Sequence, residues 1–211
     1  MSVEKLNLFP SHVYKIKCSN HKKIKDHLMK FVYPKFKEDG PNGGAQSIFT
    51  DYIPNSGAMV NWEFLHKLYL PDIKELLTEI GFDFSVWQMR QRSWYNFSTD
   101  NTEEWKHDHV GGSSTINWSY VHYVHLEEEN AGTIFFNPDS KNLRAFCPTK
   151  DLAYLPDMYL YEREQPQVEE GDILLFPSWL EHSSPAHQEN RLRITVACNI
   201  MLKTPNDTDG Y

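Results

Sequence analysis

Arg191-Leu192-Arg193-Ile194-Thr195-Val196-Ala197-Cys198-Asn199 reads as a β-strand with two unlike faces. Side chains alternate across a strand with a period of two. Leu192, Ile194, Val196 and Cys198 therefore share one side, an apolar row that calls for a hydrophobic layer against it. Arg191, Arg193, Thr195, Ala197 and Asn199 share the other, which carries cations, a hydroxyl and an amide in a line. In water, that second face makes an ordinary half-covered strand. Turned into a barrel, it buries a guanidinium, which needs an anion beside it. The free end of a dicarboxylate would supply one, and Thr195 could add a hydrogen bond to it.

Upstream lies Gly171-Asp172-Ile173-Leu174-Leu175-Phe176-Pro177-Ser178-Trp179-Leu180-Glu181-His182. Gly171-Asp172 forms a tight turn feeding an apolar strand, and Pro177 ends that strand before His182. Further short β-rich runs cover 84–97, 116–126, 132–136, 159–163 and 172–176, and the last strand covers 192–201. Many short strands after a helical start predict an antiparallel barrel or sandwich braced by helices. In the first part, a strand opens through His12-Val13-Tyr14-Lys15-Ile16. Ser19 is placed to cap a helix over about 20–33 that carries Ile24, Leu28 and Phe31 and stops at Pro34. Residues 39–44 read as a loop. A second helix runs over about 62–80, kinked or split at Pro71 and ended by Gly81. The chain is thus expected to be one domain: 1–81 as helical and mixed support, 82–202 as a β core, and 203–211 as a tail.

The densest chemical signal is Trp105-Lys106-His107-Asp108-His109. At strand spacing, His107 and His109 point to one face and can offer two imidazoles to one metal. His182 seen alone is an ordinary surface histidine after a turn. His122, His125 and His187 are not expected to be ligands, since His122 falls on the opposite strand face from Tyr123. Together, a histidine pair, a distant histidine and Arg193-x-Thr195 make the parts of an iron site with a keto-acid cosubstrate. Such iron takes three protein ligands on one side and keeps open positions opposite.

Charge and composition bound the partners. The 211 residues carry a net charge of -8, which argues against a nucleic-acid backbone as main partner. The basic cluster His21, Lys22, Lys23, Lys25 and Lys30 reads as a solvated helix face. Cys18, Cys147 and Cys198 are too sparse for a disulfide framework, so a reducing cytoplasm is expected. The first residues lack the apolar run of a signal peptide, and no stretch is apolar for long enough to span a bilayer.

The chain resembles the 2-oxoglutarate/Fe(II) oxygenases of the short bacterial and phage type, distant relatives of prolyl hydroxylases. The resemblance runs through Leu8-Phe9-Pro10, Gly43-Gly44-Ala45-Gln46-Ser47, Trp94-Tyr95-Asn96, His107-x-His109, Ser119 to Val124, Phe136-Asn137-Pro138, Gly171 to His182 and Arg193 to Asn199. It implies an all-β core with flanking helices, a double-stranded β-helix (a jelly roll, cupin-like). It implies Fe(II) held by His107, His109 and His182, and 2-oxoglutarate anchored by Arg193. Thr195, Asn96 and Tyr123 are its candidate cosubstrate contacts. It implies hydroxylation by O2, coupled to conversion of 2-oxoglutarate to succinate, of a small-molecule or peptide substrate that the sequence does not name. The wider superfamily most often uses His-x-Asp where this chain has His107-x-His109. Asp108 is the nearby acid, which a bulge could turn inward. The segment 109–119, with its Gly111-Gly112-Ser113-Ser114, is longer than the usual pattern and reads as a substrate-facing loop. Two other readings stay open: a three-histidine dioxygenase without 2-oxoglutarate, and a jelly roll that binds metal without turnover.

Overall fold

The structure is a computed structural model, and it describes residues 11–41, 48–52, 60–99, 104–110, 117–127, 132–139, 162–186 and 191–204. Leu8-Phe9-Pro10, the glycine-rich segments 43–47 and 111–114, residues 159–161 of an expected strand, Cys147, His187 and the residues beyond Thr204, expected as a tail, lie outside the described residues.

Among the described residues, ten strands and three helices follow in the order β1 (Tyr14–Lys17), α1 (His21–Phe31), α2 (Tyr33–Asp39), β2 (Phe49–Thr50), α3 (Trp62–Glu79), β3 (Gln88–Ser98), β4 (Glu104–His107), β5 (Trp118–Leu126), β6 (Ile134–Phe136), β7 (Arg163–Glu164), β8 (Asp172–Pro177), β9 (His182–Ser184) and β10 (Arg193–Lys203). They form a six-stranded sheet, β1-β8-β5-β10-β3-β2, and a four-stranded sheet, β4-β9-β6-β7. Every pairing is antiparallel. From β3 onward the chain passes back and forth between the two sheets, which is the winding of a jelly roll.

The two faces of β10 do different jobs, as its alternation predicts. Leu192, Ile194, Val196, Cys198, Ile200 and Leu202 are buried in one cluster with Ile24 and Leu28 of α1 and Leu65, Tyr69, Ile73 and Leu77 of α3. An 11-residue helix such as α1 is marginal alone in water. Burying Ile24 and Leu28, at roughly 1.5–3 kcal/mol each, is what holds it on the sheet. The opposite face of the large sheet meets the small sheet through a second cluster: Tyr123, Phe135, Val168, Leu174, Phe176 and Leu180.

Several local expectations change. Ser19 does not cap α1: its N–H donates to Asp72 Oδ2 at 2.8 Å, and the cap position is Asn20. Pro34 does not merely stop a helix, because it sits in the first turn of α2, where its missing N–H costs nothing. Phe31 is 40% exposed, outside the buried stripe of Ile24 and Leu28. Pro71 neither splits nor ends α3, which runs unbroken over 18 residues. Pro71 and Lys67 are both exposed, so water can satisfy the Lys67 carbonyl left without an N–H partner. Residues 84–87 are a turn rather than strand, with Asp83 Oδ1 accepting from the Ser85 N–H at 2.8 Å. No helix among the described residues is long and apolar enough to cross a membrane. Cys18 and Cys198 are free and buried.

Candidate active site

The polar face of β10 forms the floor of a pocket between the sheets. Register arranges it in rows. Arg193 lies beside Ser98, Thr195 between Asn96 and Tyr123, Ala197 between Trp94 and Val121, and Asn199 between Arg92 and Ser119. Arg193, Thr195 and Asn96 line the pocket together with His107, His109 and His182. Arg193 is 7% exposed, so its charge is held inside the barrel rather than in water.

The histidines arrive from the small sheet. Antiparallel pairing of β4 with β9 sets His107 opposite His182. Just beyond β4, the His109 N–H donates to the Ser178 carbonyl at 2.9 Å. Asp108 between them points outward, where its carboxylate is exposed and accepts from the Val110 N–H at 2.9 Å. The three rings converge: centroids are 4.4 Å apart for His107 and His182, 4.9 Å for His109 and His182, and 5.2 Å for His107 and His109. One nitrogen from each lies within 4.8 Å of the others.

Which nitrogens converge follows from what holds the rings. His107 Nδ1 meets the Trp105 carbonyl at 2.6 Å, and His182 Nδ1 meets the Leu180 carbonyl at 2.8 Å. His109 Nδ1 meets Asn199 Oδ1. A carbonyl or amide oxygen only accepts, so each Nδ1 must carry its proton, and each Nε2 keeps a free lone pair. Fixing the tautomer through the second nitrogen is how metal-binding imidazoles are oriented. Asn199 is itself tied in. Ser119 Oγ donates to Asn199 Oδ1 at 3.0 Å and lies 2.9 Å from Ser178 Oγ.

Burial reinforces the ligand form. Burial pushes His182 down to about 3, the bond to the Leu180 carbonyl resists this, and the neighbouring His107 and His109 add to the fall. His109 is lowered too, first by burial, with its bond to Asn199 opposing. Both rings are neutral at physiological pH, as a metal requires. The His182 ring packs edge-on against Phe176, with centroids 4.7 Å apart. Three imidazoles converging from one side suit ferrous iron.

A family model for 2OG-Fe(II) oxygenases matches residues 92–199, from β3 through β10. The chain belongs to this family. Its members are enzymes whose cofactors are Fe(II) and 2-oxoglutarate, and this oxygenase has the jelly-roll fold to match. No curated protein sequence matches it. Among solved structures, the oxygenase is similar to a prolyl-4-hydroxylase of Pseudomonas putida, at 12% identity and a TM-score of 0.56, covering 90% of this chain and 92% of the other. It is similar to HygX of Streptomyces hygroscopicus, solved with nickel and 2-oxoglutarate, at 13% identity and TM-score 0.56, covering 93% and 84%. A third is the viral collagen prolyl hydroxylase of Paramecium Bursaria Chlorella virus-1, in its 2OG complex, at 10% identity and TM-score 0.52, covering 89% and 94%. At these identities the likeness is one of fold.

The remaining site residues of the oxygenase stand as follows. Thr195 is 6% exposed beside Asn96 on the pocket floor. Arg193 Nη1 bonds Ser184 Oγ and reaches the Pro185 carbonyl at 3.4 Å, which aims it along the pocket wall. Tyr123 points into the barrel but is fully buried, and its hydroxyl accepts from the Thr133 N–H at 2.8 Å and lies 2.8 Å from Thr133 Oγ1. Thr133, not Tyr123, is the pocket-lining member of that pair. Residues without a predicted role also contribute: Glu104, Trp94 and Ser184 line the pocket, and Asn199, Ser119 and Ser178 brace His109. Asn199 was within reach of the sequence, since it follows Arg193 and Thr195 at period two.

Proposed function

We propose that this oxygenase hydroxylates a C–H bond of a peptide or small-molecule substrate, with iron held by His107, His109 and His182 and 2-oxoglutarate anchored by Arg193. The observation that carries the reading is the meeting, in one pocket, of three free imidazole Nε2 atoms and a buried guanidinium flanked by a hydroxyl. When bound, the iron supplies O2 activation and couples conversion of 2-oxoglutarate to succinate with oxidation of the substrate. The protein's part is positioning. The Trp105 and Leu180 carbonyls and Asn199 hold the imidazoles, and Ser184 and the Pro185 carbonyl hold the guanidinium. A guanidinium matches a carboxylate with paired hydrogen bonds, a geometry lysine does not offer. Thr195 and Asn96 lie next to it on the floor and can bond the same cosubstrate.

The substrate class is drawn from likeness of fold: one similar structure is a prolyl hydroxylase in complex with a peptide, from Trichoplax adhaerens, and another is HygX with hygromycin B. Two measurements test the function. Anaerobic protein with Fe(II) is titrated with 2-oxoglutarate and followed by its visible charge-transfer band. Peptides, free amino acids, nucleosides and small metabolites are then screened for substrate-dependent succinate. A band without stimulated succinate for any substrate class would leave a metal-binding jelly roll. Metal binding without 2-oxoglutarate binding would favour the three-histidine dioxygenase, in which the buried Arg193 has no ligand to hold.

A further inference from the structure

Three imidazoles leave the charge of a divalent ion unbalanced, and the sequence pattern puts no acid in the usual ligand place. The structure brings one from elsewhere. β4 pairs with β9 so that Glu104 faces Ser184 and His107 faces His182, with a register shift between. Three steps along β4 thus match two along β9, which is one extra residue, a β-bulge. On a regular strand, residues three apart point to opposite faces. The bulge cancels that, and Glu104 and His107 both line the pocket. Among the described pocket-lining residues Glu104 is the only acid.

Its carboxylate stands at the metal side of the ring. Glu104 Oε1 is 3.9 Å from His107 Nε2, the nitrogen left free once Nδ1 is bound to the Trp105 carbonyl. Two atoms bound to one first-row ion at roughly 2.1 Å each are at most about 4.2 Å apart; the carboxylate meets that limit with His107 but stands outside the trio of converging imidazoles, so a rotation of the Glu104 side chain has to bring it to the ion. Asp108, the acid next to the histidines in sequence, is turned to solvent.

We propose that Glu104 is the anionic metal-binding side chain of this site, holding the ion when the keto acid is absent. The inference rests on the three-histidine reading. A carboxylate offsets the ion's charge where neutral imidazoles cannot, and oxygen is a good donor to ferrous iron. The keto acid brings its own carboxylate to the same ion, so the two anions oppose each other. Glu104 should therefore strengthen metal binding and weaken 2-oxoglutarate binding.

The test uses Co(II), with its visible d–d bands, on the full chain. Glu104→Gln should weaken Co(II) binding about tenfold or more and change the d–d spectrum. Glu104→Asp should recover part of the affinity. On Co(II)-saturated protein, 2-oxoglutarate should bind Glu104→Gln at least as tightly as wild type. Asp108→Asn removes the same charge from the same stretch but faces outward, and should leave Co(II) affinity unchanged. Wild-type affinity and spectrum in Glu104→Gln would overturn the proposal. So would a loss in Asp108→Asn as large as in Glu104→Gln, or weakening of both metal and 2-oxoglutarate, which would mark a structural defect. Failure of the wild type to bind Co(II) would instead sink the three-histidine site, and this proposal with it. Failure of the Co(II) protein to bind 2-oxoglutarate would sink the cosubstrate reading while the metal titrations still decide Glu104.

Discussion

Two histidine clusters stand to either side of the large sheet, one brought by the small sheet and one under the helices, and only the first leaves nitrogens to spare. On the pocket side, each Nδ1 of His107, His109 and His182 is bound to an oxygen and the three Nε2 atoms are left to converge. On the helix side, His122, His21 and His125 gather around Glu170, and every ring nitrogen has a partner. His21 Nε2 meets Glu170 Oε1 at 3.3 Å, His21 Nδ1 meets His122 Nε2 at 3.1 Å, and His122 Nδ1 meets the Tyr69 hydroxyl at 2.8 Å. With neutral rings the direction is forced. The carboxylate accepts from His21 Nε2–H, so His21 Nδ1 accepts from His122, and His122 Nδ1 accepts from Tyr69. His125 lies 3.0 Å from Glu170 Oε2 and 3.4 Å from Glu127, and Lys25 closes on Glu170 Oε1 at 2.5 Å. The lesson is that a histidine's second nitrogen decides its role. Proximity of rings makes a cluster, and free lone pairs make a metal site.

Both clusters also depend on a bulge. The β4 bulge puts Glu104 on the face of His107. In β5, a register shift against Ile194 and Thr195 of β10 sets His122 against Val196 and His125 against Ile194, and so puts both on the helix side.

The sharpest way to break the contrast is to remove one histidine from each cluster. His182→Ala should weaken Co(II) or Fe(II) binding by about a hundredfold or more, beyond the loss expected for a group that only supports a ligand. His122→Phe should leave metal affinity unchanged. Equal losses in a metal titration would mean that the two clusters are not different in kind. Next in size is the cosubstrate. Arg193→Ala should lose on the order of a hundredfold in 2-oxoglutarate affinity, since charged hydrogen bonds are worth about 1.5–3 kcal/mol each, while metal stays bound. Arg191→Ala should do far less, because that side chain is exposed. Calorimetry on the metal-loaded protein separates the two.

Asn199→Ala sharpens the comparison from within the metal side. It frees the His109 tautomer and leaves Ser119 short of a partner, and should lower metal affinity about tenfold without a change in fold. Metal affinity at the wild-type level would show that Asn199 does not orient the ring. The smallest effect belongs to the helix side and is read as stability. His122→Phe leaves the Tyr69 hydroxyl unpaired in the core and should cost about 1–3 kcal/mol in a urea unfolding curve.

The same ring sets a pH dependence. Burial, aided by the nearby His21 and opposed by Glu170, pushes His122 down to about 3. Unfolded, it titrates near its ordinary 6.5. Between these values the unfolded chain binds a proton that the folded one refuses, so stability is full above about 6.5 and falls as pH drops toward 3. Burial alone would raise Glu170, but hydrogen bonds from Lys25, His125 and His21 outweigh it and bring it down to about 2. Its contribution is present above the ordinary 4.5 and is lost as pH falls toward 2. Unfolding curves at pH 7, 5 and 4 should therefore slope less steeply with acid in His122→Phe than in wild type, and an unchanged slope would remove His122 as the titrating group.

The alternation over 191–199 determined much of this protein by itself. Strand periodicity is local, so one face for the helices and one for the pocket could be read directly, and with them the antiparallel β core. Arg193, Thr195 and Asn199 could be placed on one polar face for the same reason, and so could His107 and His109 on theirs, whereas Asn96 came only from the family resemblance. Helix boundaries at Pro34 and Pro71 were less legible, because a proline's cost depends on whether its position already lacks a hydrogen bond or faces water. Only the tertiary structure decided which acid enters the pocket, since Glu104 is turned inward by a bulge that exists in the pairing of β4 with β9, while Asp108 keeps to the outward face of ordinary alternation. It alone decided that Asn199, Ser119 and Ser178 brace His109, and that the nitrogens of His122 are claimed by Tyr69 and His21. Those outcomes depend on register between distant strands and on which lone pairs remain after packing, and neither is a property of any one stretch of sequence.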